Sequence, residues 1–306
     1  MSKNKPTLQK RHEWHWFLYL IPALLFYIVF MAYPMIDSLR LSLYTGNSPQ
    51  SRSFVGLGNF TKLFTDSVIS ERYWGAFLHT WYFFLIHLIF QNALGIIFAV
   101  ILTNETMKGR QVYQTIIFIP TTFAVLVTGY LWKLILNPVW SGDFFVAIGL
   151  PFLKHPWLGD TSTALTCVSL VSSWQWMGIP TMMFVAALRN ISEDILEAAR
   201  IEGAGFFRTF FSIKLPLIKP VVGIIAVLTF VNNFNAFDIV FAMENVNGAP
   251  GYSTDLIGTL FYRYGIAGQH PIGIPDAGLG AAIATITFLI LLAGVIPTLK
   301  QTQGGE

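Results

Sequence analysis

Two groups of residues in this 306-residue chain have types and spacings that could do chemistry. Thr229, Asn232, Asn233 and Ala236 recur at i, i+3, i+4 and i+7, so one helix would place them on a single face. Asn235 and Asp238 add polarity off that stripe. Trp174, Met177, Gly178 and Thr181 repeat the same spacing. The first face offers amide donors and acceptors. The second offers an indole, a thioether and a glycine that permits close approach. A polyhydroxy solute suits such a pair, because hydroxyls bond to amides and the C–H faces of pyranose rings pack on aromatics. The same residues have a plainer use. Asn and Thr in apolar helices often only bond neighbouring helices, at about 1 kcal/mol or less each. Both readings stand at this level.

The second group is the stretch EAARIEGAGFFRTFFSIKLPLIKP, from Glu197 to Pro220. Asn190 and Glu193 have capping-box spacing, and Ser192 is another possible N-cap. Glu193 and Asp194 then fall in the first turn, where the helix dipole favours negative charge. Ile195, Ala198, Ala199 and Glu202 are compatible with a helix, and Gly203-Ala204-Gly205 breaks it. Phe206, Phe207, Phe210 and Phe211 begin a second short helical piece, which Leu215-Pro216 should end. The result is a helix–turn–helix that shows apolar residues with a few charges around them. It either packs on its own bundle or lies in the groove of a soluble partner as an amphipathic element.

Other reactive groups are sparse. Cys167 is the one cysteine, sits in an apolar run and reads as a small packed hydrophobe. His79 and His87 are eight residues apart, with Gln91 and Asn92 beyond, which favours interhelical hydrogen bonds over metal ligation. The patterns DxxxD, HExxH and CxxC are absent, which disfavours a membrane-embedded enzyme. The chain has no GxxxxGK[ST] loop and no Gly-Lys pair, so it does not itself handle ATP.

The elements that must position these groups follow from composition. The chain is 54% hydrophobic and 11% charged, whereas a soluble domain carries about 25% charged residues. Six stretches approach the roughly 20 apolar residues that a bilayer span needs: about 16–36, 77–102, 113–136, 162–188, 217–243 and 277–299. The first is followed by YPMIDS and lacks a small-residue cleavage site, so it does not read as a signal peptide. Six spans put both ends on one side. That side holds twelve of the nineteen basic residues, among them Lys3, Lys5, Lys10, Arg11, Arg200 and Arg208. The other side holds seven, including Arg72, Lys133 and Arg263. Both termini and the 189–219 loop are therefore expected to be cytoplasmic. Trp14, Trp16, Trp74, Trp140 and Trp157 fall near span ends, as interfacial anchors do. Asp37, Lys133 and Glu244 also lie near span ends, and Asp238 either pairs with Lys133 or lines a pathway. The net charge of +3 gives no argument for nucleic acid. The expected fold is an all-α integral-membrane bundle.

EAA, then Gly203, then Ile213-x-Leu215-Pro216 resembles the EAA loop of ABC importer permeases, and more narrowly the sugar-importer group related to the maltose and glycerol-phosphate permeases. IPA at 21–23, LSL at 41–43, FVGLGNF at 54–60, LWKLILNP at 131–138, WMGIP at 176–180 and NGAP at 247–250 agree along nearly the whole chain. Glu202 stands where the family usually has aspartate, Ala249 replaces the second glycine of a GGP, and the 265–278 segment is longer than in many relatives.

The resemblance implies six transmembrane helices with a cytoplasmic coupling loop between spans four and five. In it, Glu197, Ala198, Ala199, Glu202, Gly203, Ala204 and Gly205 would shape the surface that docks an ATPase. It implies a first segment, 1–76, whose helix wraps a partner subunit; a five-helix core, 77–300, including the loop 189–219; and a tail, 301–306. It also implies partners: a second homologous permease, two cytoplasmic ABC ATPase subunits that hold ATP and magnesium, and an extracytoplasmic solute-binding protein. Sugar contacts are expected from the fourth- and fifth-span residues named above. A glycerol-phosphate cargo is the alternative, and it should favour cationic side chains that those two spans lack. A secondary transporter would not need the loop.

Overall fold

The computed structural model describes residues 9–48, 50–104, 106–268 and 273–303. Lys3, Lys5, the middle of the 265–278 segment and the end of the tail lie outside the described residues, as do the side chains of Trp14 and Trp16. The described residues are mostly helical and include one two-stranded antiparallel hairpin, which pairs Tyr44 with Phe54 and Thr45 with Ser53.

Three helices among the described residues are long and apolar enough to cross a membrane: Leu18–Leu41, Ser67–Leu102 and Ala277–Thr298. The count reaches five if two bent pairs are each one crossing. Arg110–Thr122 meets Val125–Ile135 at 97°, and Phe206–Leu217 meets Lys219–Phe234 at 70°. The expected spans are thus less regular than six straight rods. The stretch 113–136 turns where Pro120 closes a short 3₁₀ segment and Phe123 and Ala124 become extended. The stretch 162–188 divides at Met177 into Ala164–Trp176 and Gly178–Arg189. Pro180 has no N–H to give the Trp176 carbonyl, which removes one bond of the ladder there. The helix Lys219–Phe234 ends well before residue 243, and Asp238–Glu244 is a separate short helix.

Three apolar clusters hold the bundle. Trp81, Phe230, Phe234, Tyr264 and Ile283 join the helices 67–86, 219–234 and 277–303. Phe83, Val168, Val240, Met243 and Leu256 form a second cluster, and Ala99, Leu102, Phe184, Leu188, Ile218 and Ile225 a third. Gly178 sits where the bend at Pro120 comes closest. A Cβ there would lie 2.7 Å from the Thr121 hydroxyl and 3.0 Å from the Phe118 Cα, so only glycine allows this approach. By contrast, Leu18–Leu41 packs little of itself inside, and Leu18, Tyr19, Phe26, Phe30 and Tyr33 are all exposed.

Candidate functional site: a polar cavity and an exposed loop at the two ends of one helix

The helix Lys219–Phe234 connects two features. Near its C-terminal end lies a cavity of about 500 Å³. Thr229, Asn232 and Asn233 line it, followed by Asn235, Ala236 and Phe237 from the irregular turn after the helix and by Asp238 at the start of the next one. Ala236 therefore reaches the same cavity as the asparagines, but as part of that turn and not as the last member of a helical stripe. Across the cavity stand His87 and Gln91, then Ser172 and Trp176, then Ile179, Pro180 and Met183.

Two bonds tie polar side chains across helices here, His87 to Ser172 and Asn92 to Thr229. His87 lies 2.8 Å through Nδ1 from the Phe83 carbonyl and 3.0 Å through Nε2 from the Ser172 hydroxyl. The carbonyl can only accept, so Nδ1 carries the proton and the Ser172 hydroxyl donates to Nε2. Asn92 Nδ2 donates to the Thr229 hydroxyl at 3.0 Å, and that hydroxyl donates to the Ile225 carbonyl at 2.8 Å. The expectation of interhelical hydrogen bonding for His87 and Asn92 is met. His79 serves a different partner, the Asp255 carbonyl, 3.2 Å away. Asn233 is buried against the cavity, and its Nδ2 has no hydrogen-bond partner among the described residues. A buried amide donor left free costs about 1–3 kcal/mol, so it is poised to be satisfied by something that enters.

The fourth-span residues sit elsewhere. Trp174, Met177, Gly178 and Thr181 are not among the cavity's lining residues. The Trp174 ring meets Trp132 edge-on, with centroids 5.4 Å apart. Gly178 receives the bent helix described above. Thr181 is fully buried and donates to the Met177 carbonyl at 2.8 Å. The face of these helices that meets the cavity carries Ser172, Trp176, Ile179, Pro180 and Met183. Ser172, Trp176, Ile179, Pro180 and Met183 keep helical spacing across Met177, so the cavity meets a different face from the one that Trp174, Met177, Gly178 and Thr181 share.

Before the same helix lies the charged loop. A helix spans Glu193–Ile201, with Glu193 and Asp194 in its first turn and Arg200 in its last, each suited to the dipole. Asn190 is not its cap. It closes the preceding helix Gly178–Arg189, and Ser192 occupies the N-cap position without a side-chain bond. The C-terminus is a Schellman turn. The Gly203 N–H donates to the Arg200 carbonyl at 3.0 Å, and the Ala204 N–H to the Ala199 carbonyl at 2.9 Å. Gly203 carries φ +72°, which an L-residue adopts at a cost of about 1–2 kcal/mol. Gly205 then starts the helix Phe206–Thr209, which continues through a wider π turn and Leu215–Leu217. Leu215-Pro216 does not end it; the chain bends at Ile218, whose buried side chain packs into the third cluster.

Of the loop's named residues, only Ala199 is buried; Glu197, Ala198, Glu202, Gly203 and Gly205 are exposed and Ala204 is half-buried. Large apolar side chains stand out around them. Ile201 is 86% exposed and Phe207 73%.

A third constellation escaped the sequence reading, which counted Arg263 only as a basic residue. Asp255 and Arg263, 2% and 1% exposed, form a two-pronged buried ion pair. Arg263 Nη1 also donates to the Val246 carbonyl at 2.9 Å, and the Thr259 hydroxyl donates to Asp255 Oδ1 at 2.6 Å. Burial pushes the Asp255 carboxyl above its usual range, against the opposing pull of Arg263. The Arg72 guanidinium lies 3.6 Å over the Tyr252 ring. Nearby, Asp276 accepts from Thr45 and from the Gly278 N–H, which ties the hairpin to the start of the last helix. The i, i+4, i+8 spacing of Asp255, Thr259 and Arg263 was the available signal.

The probable ABC transporter permease protein YurN of Bacillus subtilis (strain 168) is 30% identical over 95% of this chain and 96% of its own length. The trehalose/maltose transport system permease protein MalF of Thermococcus litoralis is 30% identical over 93% of this chain and 92% of its own. Among solved structures, a bacterial ABC transporter involved in the import of the acidic polysaccharide alginate superposes with a TM-score of 0.80 over 98% of this chain and 99% of that one, at 22% identity, and shares the fold. Residues 91–300 match the family described as binding-protein-dependent transport system inner membrane component. The chain belongs to that family of transport proteins, as the loop around Glu197–Gly205 and the helical architecture independently suggest.

Proposed function

We propose that this chain is one permease subunit of an ATP-driven importer that moves a sugar or oligosaccharide across the cytoplasmic membrane. The observation that carries the reading is the 193–217 loop. Its backbone is fixed by a Schellman turn and its apolar side chains are left in the open. Such a surface fits a cleft in a cytoplasmic ATPase. The six apolar stretches cross the membrane with both termini inside. The first segment, 1–76, embraces a second, homologous permease; 77–300 is the transporting core; 301–306 is a cytoplasmic tail.

Mechanically, the loop and the cavity belong to consecutive parts of one rigid path. The piece Phe206–Leu217 meets Lys219–Phe234 at 70°, and that helix leads directly to Asn232 and Asn233. When two ATPase subunits close on ATP, the docked loop moves with them and swings the helix. The cavity then changes the side to which it opens, which is alternating access. A binding protein outside delivers the solute against 40–76 and 245–276. ATP and magnesium stay on the partner chains, and this chain performs no covalent step.

Relatives named for trehalose/maltose, arabinooligosaccharides and lactose support a carbohydrate cargo. So does the amide-rich wall, whose free Asn233 donor suits a hydroxyl. The test is to tag the chain, extract it gently from its host's membranes and identify its companions by mass spectrometry. The reading expects a Walker-motif ATPase and a second EAA-bearing permease. A stable complex containing no ATPase would contradict it.

A further inference from the structure

The charge pattern of the cavity is one-sided. Its polar lining is neutral at His87, Gln91, Ser172, Thr229, Asn232, Asn233 and Asn235, and no lysine or arginine contributes. The single carboxylate is Asp238, which is exposed and makes no ion pair or side-chain hydrogen bond among the described residues. The sequence leaves open a pairing with Lys133. Among the described residues Lys133 makes no ion pair with Asp238, and it does not line the cavity. Asp238 thus faces the cavity as an uncompensated negative charge beside amides that hold no charge of their own.

From this we infer that Asp238 is the charge filter of the cavity: it admits neutral polyhydroxy solutes and cationic ones such as amino sugars, and turns away uronates and phosphate esters. Two physical effects act together. A carboxylate accepts hydrogen bonds from adjacent hydroxyls and gives none to a competing anion. A cleft with low-dielectric walls and charge of one sign concentrates counter-ions and depletes co-ions. The neighbouring amides cannot offset this field, because they can rotate to serve either partner but carry no net charge. The inference rests on the proposed reading of the cavity as the solute's path.

The experiment reads the field directly and needs no knowledge of the cargo. In the assembled complex, with Cys167→Ser as background, Asn232→Cys places a reporter thiol on the cavity wall. Its rates with a trimethylammonium methanethiosulfonate and a sulfonate methanethiosulfonate are compared, each normalised to a free thiol and applied from either side of membrane vesicles. With Asp238 present the cationic reagent is expected to win by about tenfold. Asp238→Asn should bring the ratio to about one, and Asp238→Glu should preserve it, which separates charge from packing. An equal ratio for Asp238 and Asp238→Asn would overturn the filter while leaving the path intact. A thiol that reacts with neither reagent from either side would instead overturn the path.

Discussion

The segments on the two sides of the helix Lys219–Phe234, the loop 193–217 before it and the stretch 245–263 beyond the short helix Asp238–Glu244, are held differently. The 193–217 loop is fixed through its backbone, by two carbonyl–amide bonds and a left-handed Gly203, while its side chains stay exposed. The 245–263 segment has backbone turns and left-handed glycines of its own, at 248 and 251, and adds buried side-chain bonds to them. Its buried Asp255 and Arg263 bind each other, Thr259 and the Val246 carbonyl, and the Ile257 N–H donates to Thr80 on the neighbouring helix at 3.0 Å. A backbone-held turn can present Ile201 and Phe207 without using them. The 245–263 segment consumes its buried polar groups in holding itself. On the proposed reading the first serves as a handle and the second as a fixed platform, with the helix between them.

The largest break in this comparison is expected at Gly203. Gly203→Asp should leave the chain in the membrane but abolish co-purification of the ATPase and solute uptake. Nothing lies within 4 Å of a Cβ there, so the effect must come from turn strain and the docked surface rather than from internal packing. Gly203→Ala, which adds only the roughly 1–2 kcal/mol of left-handed strain, should keep measurable uptake. Normal uptake by Gly203→Asp would refute the assignment.

Asp255→Ala comes next. Removing one partner of a buried ion pair strands the other, at about 3–5 kcal/mol. Thermal unfolding of the purified complex should fall clearly, whereas the double variant Asp255→Ala/Arg263→Ala should recover part of the loss. Equal damage in both would mean that the stranded Arg263 charge is not what destabilises the single variant.

Between the two ends, Asn233→Ala is expected to slow transport while leaving assembly intact, since its amide donor has no partner to lose among the described residues. Failure to assemble would identify Asn233 as interhelical glue. Smallest of all should be Thr209→Val in the loop. Its hydroxyl makes one long bond, 3.3 Å, to the Ala204 carbonyl, so thermal unfolding and uptake should stay close to the unsubstituted chain.

What could be read from the sequence follows the same division. Glycine at 203 and acids at 193–194 signal a turn and a helix start through local backbone physics, and both form, whereas Asn190 does not cap that helix and Leu215-Pro216 does not end the next piece. Thr229, Asn232 and Asn233 also share a cavity, because one unbroken helix carries them. Trp174, Met177, Gly178 and Thr181 do not line that cavity, because spacing shows which residues share a helical face but not which face meets a cavity, and here Ser172, Trp176, Ile179, Pro180 and Met183 do. The ion pair of Asp255 and Arg263 was hidden for another reason. Charge counting treats every basic residue as solvated, and only the packing of 245–263 against Tyr73, Ala76 and Thr80 on the Ser67–Ile86 helix shows that this one is buried.

The central claim is that the exposed loop is a docking surface for a nucleotide-driven partner. It is tested most directly by the reactivity of a cysteine at Ile201 in the Cys167→Ser background, measured in the purified complex and again after the peripheral subunits are stripped off. Docking predicts slow labelling in the complex and a rise of about tenfold or more on stripping, because the 86%-exposed position is then uncovered. Equal, fast labelling in both states would contradict the claim.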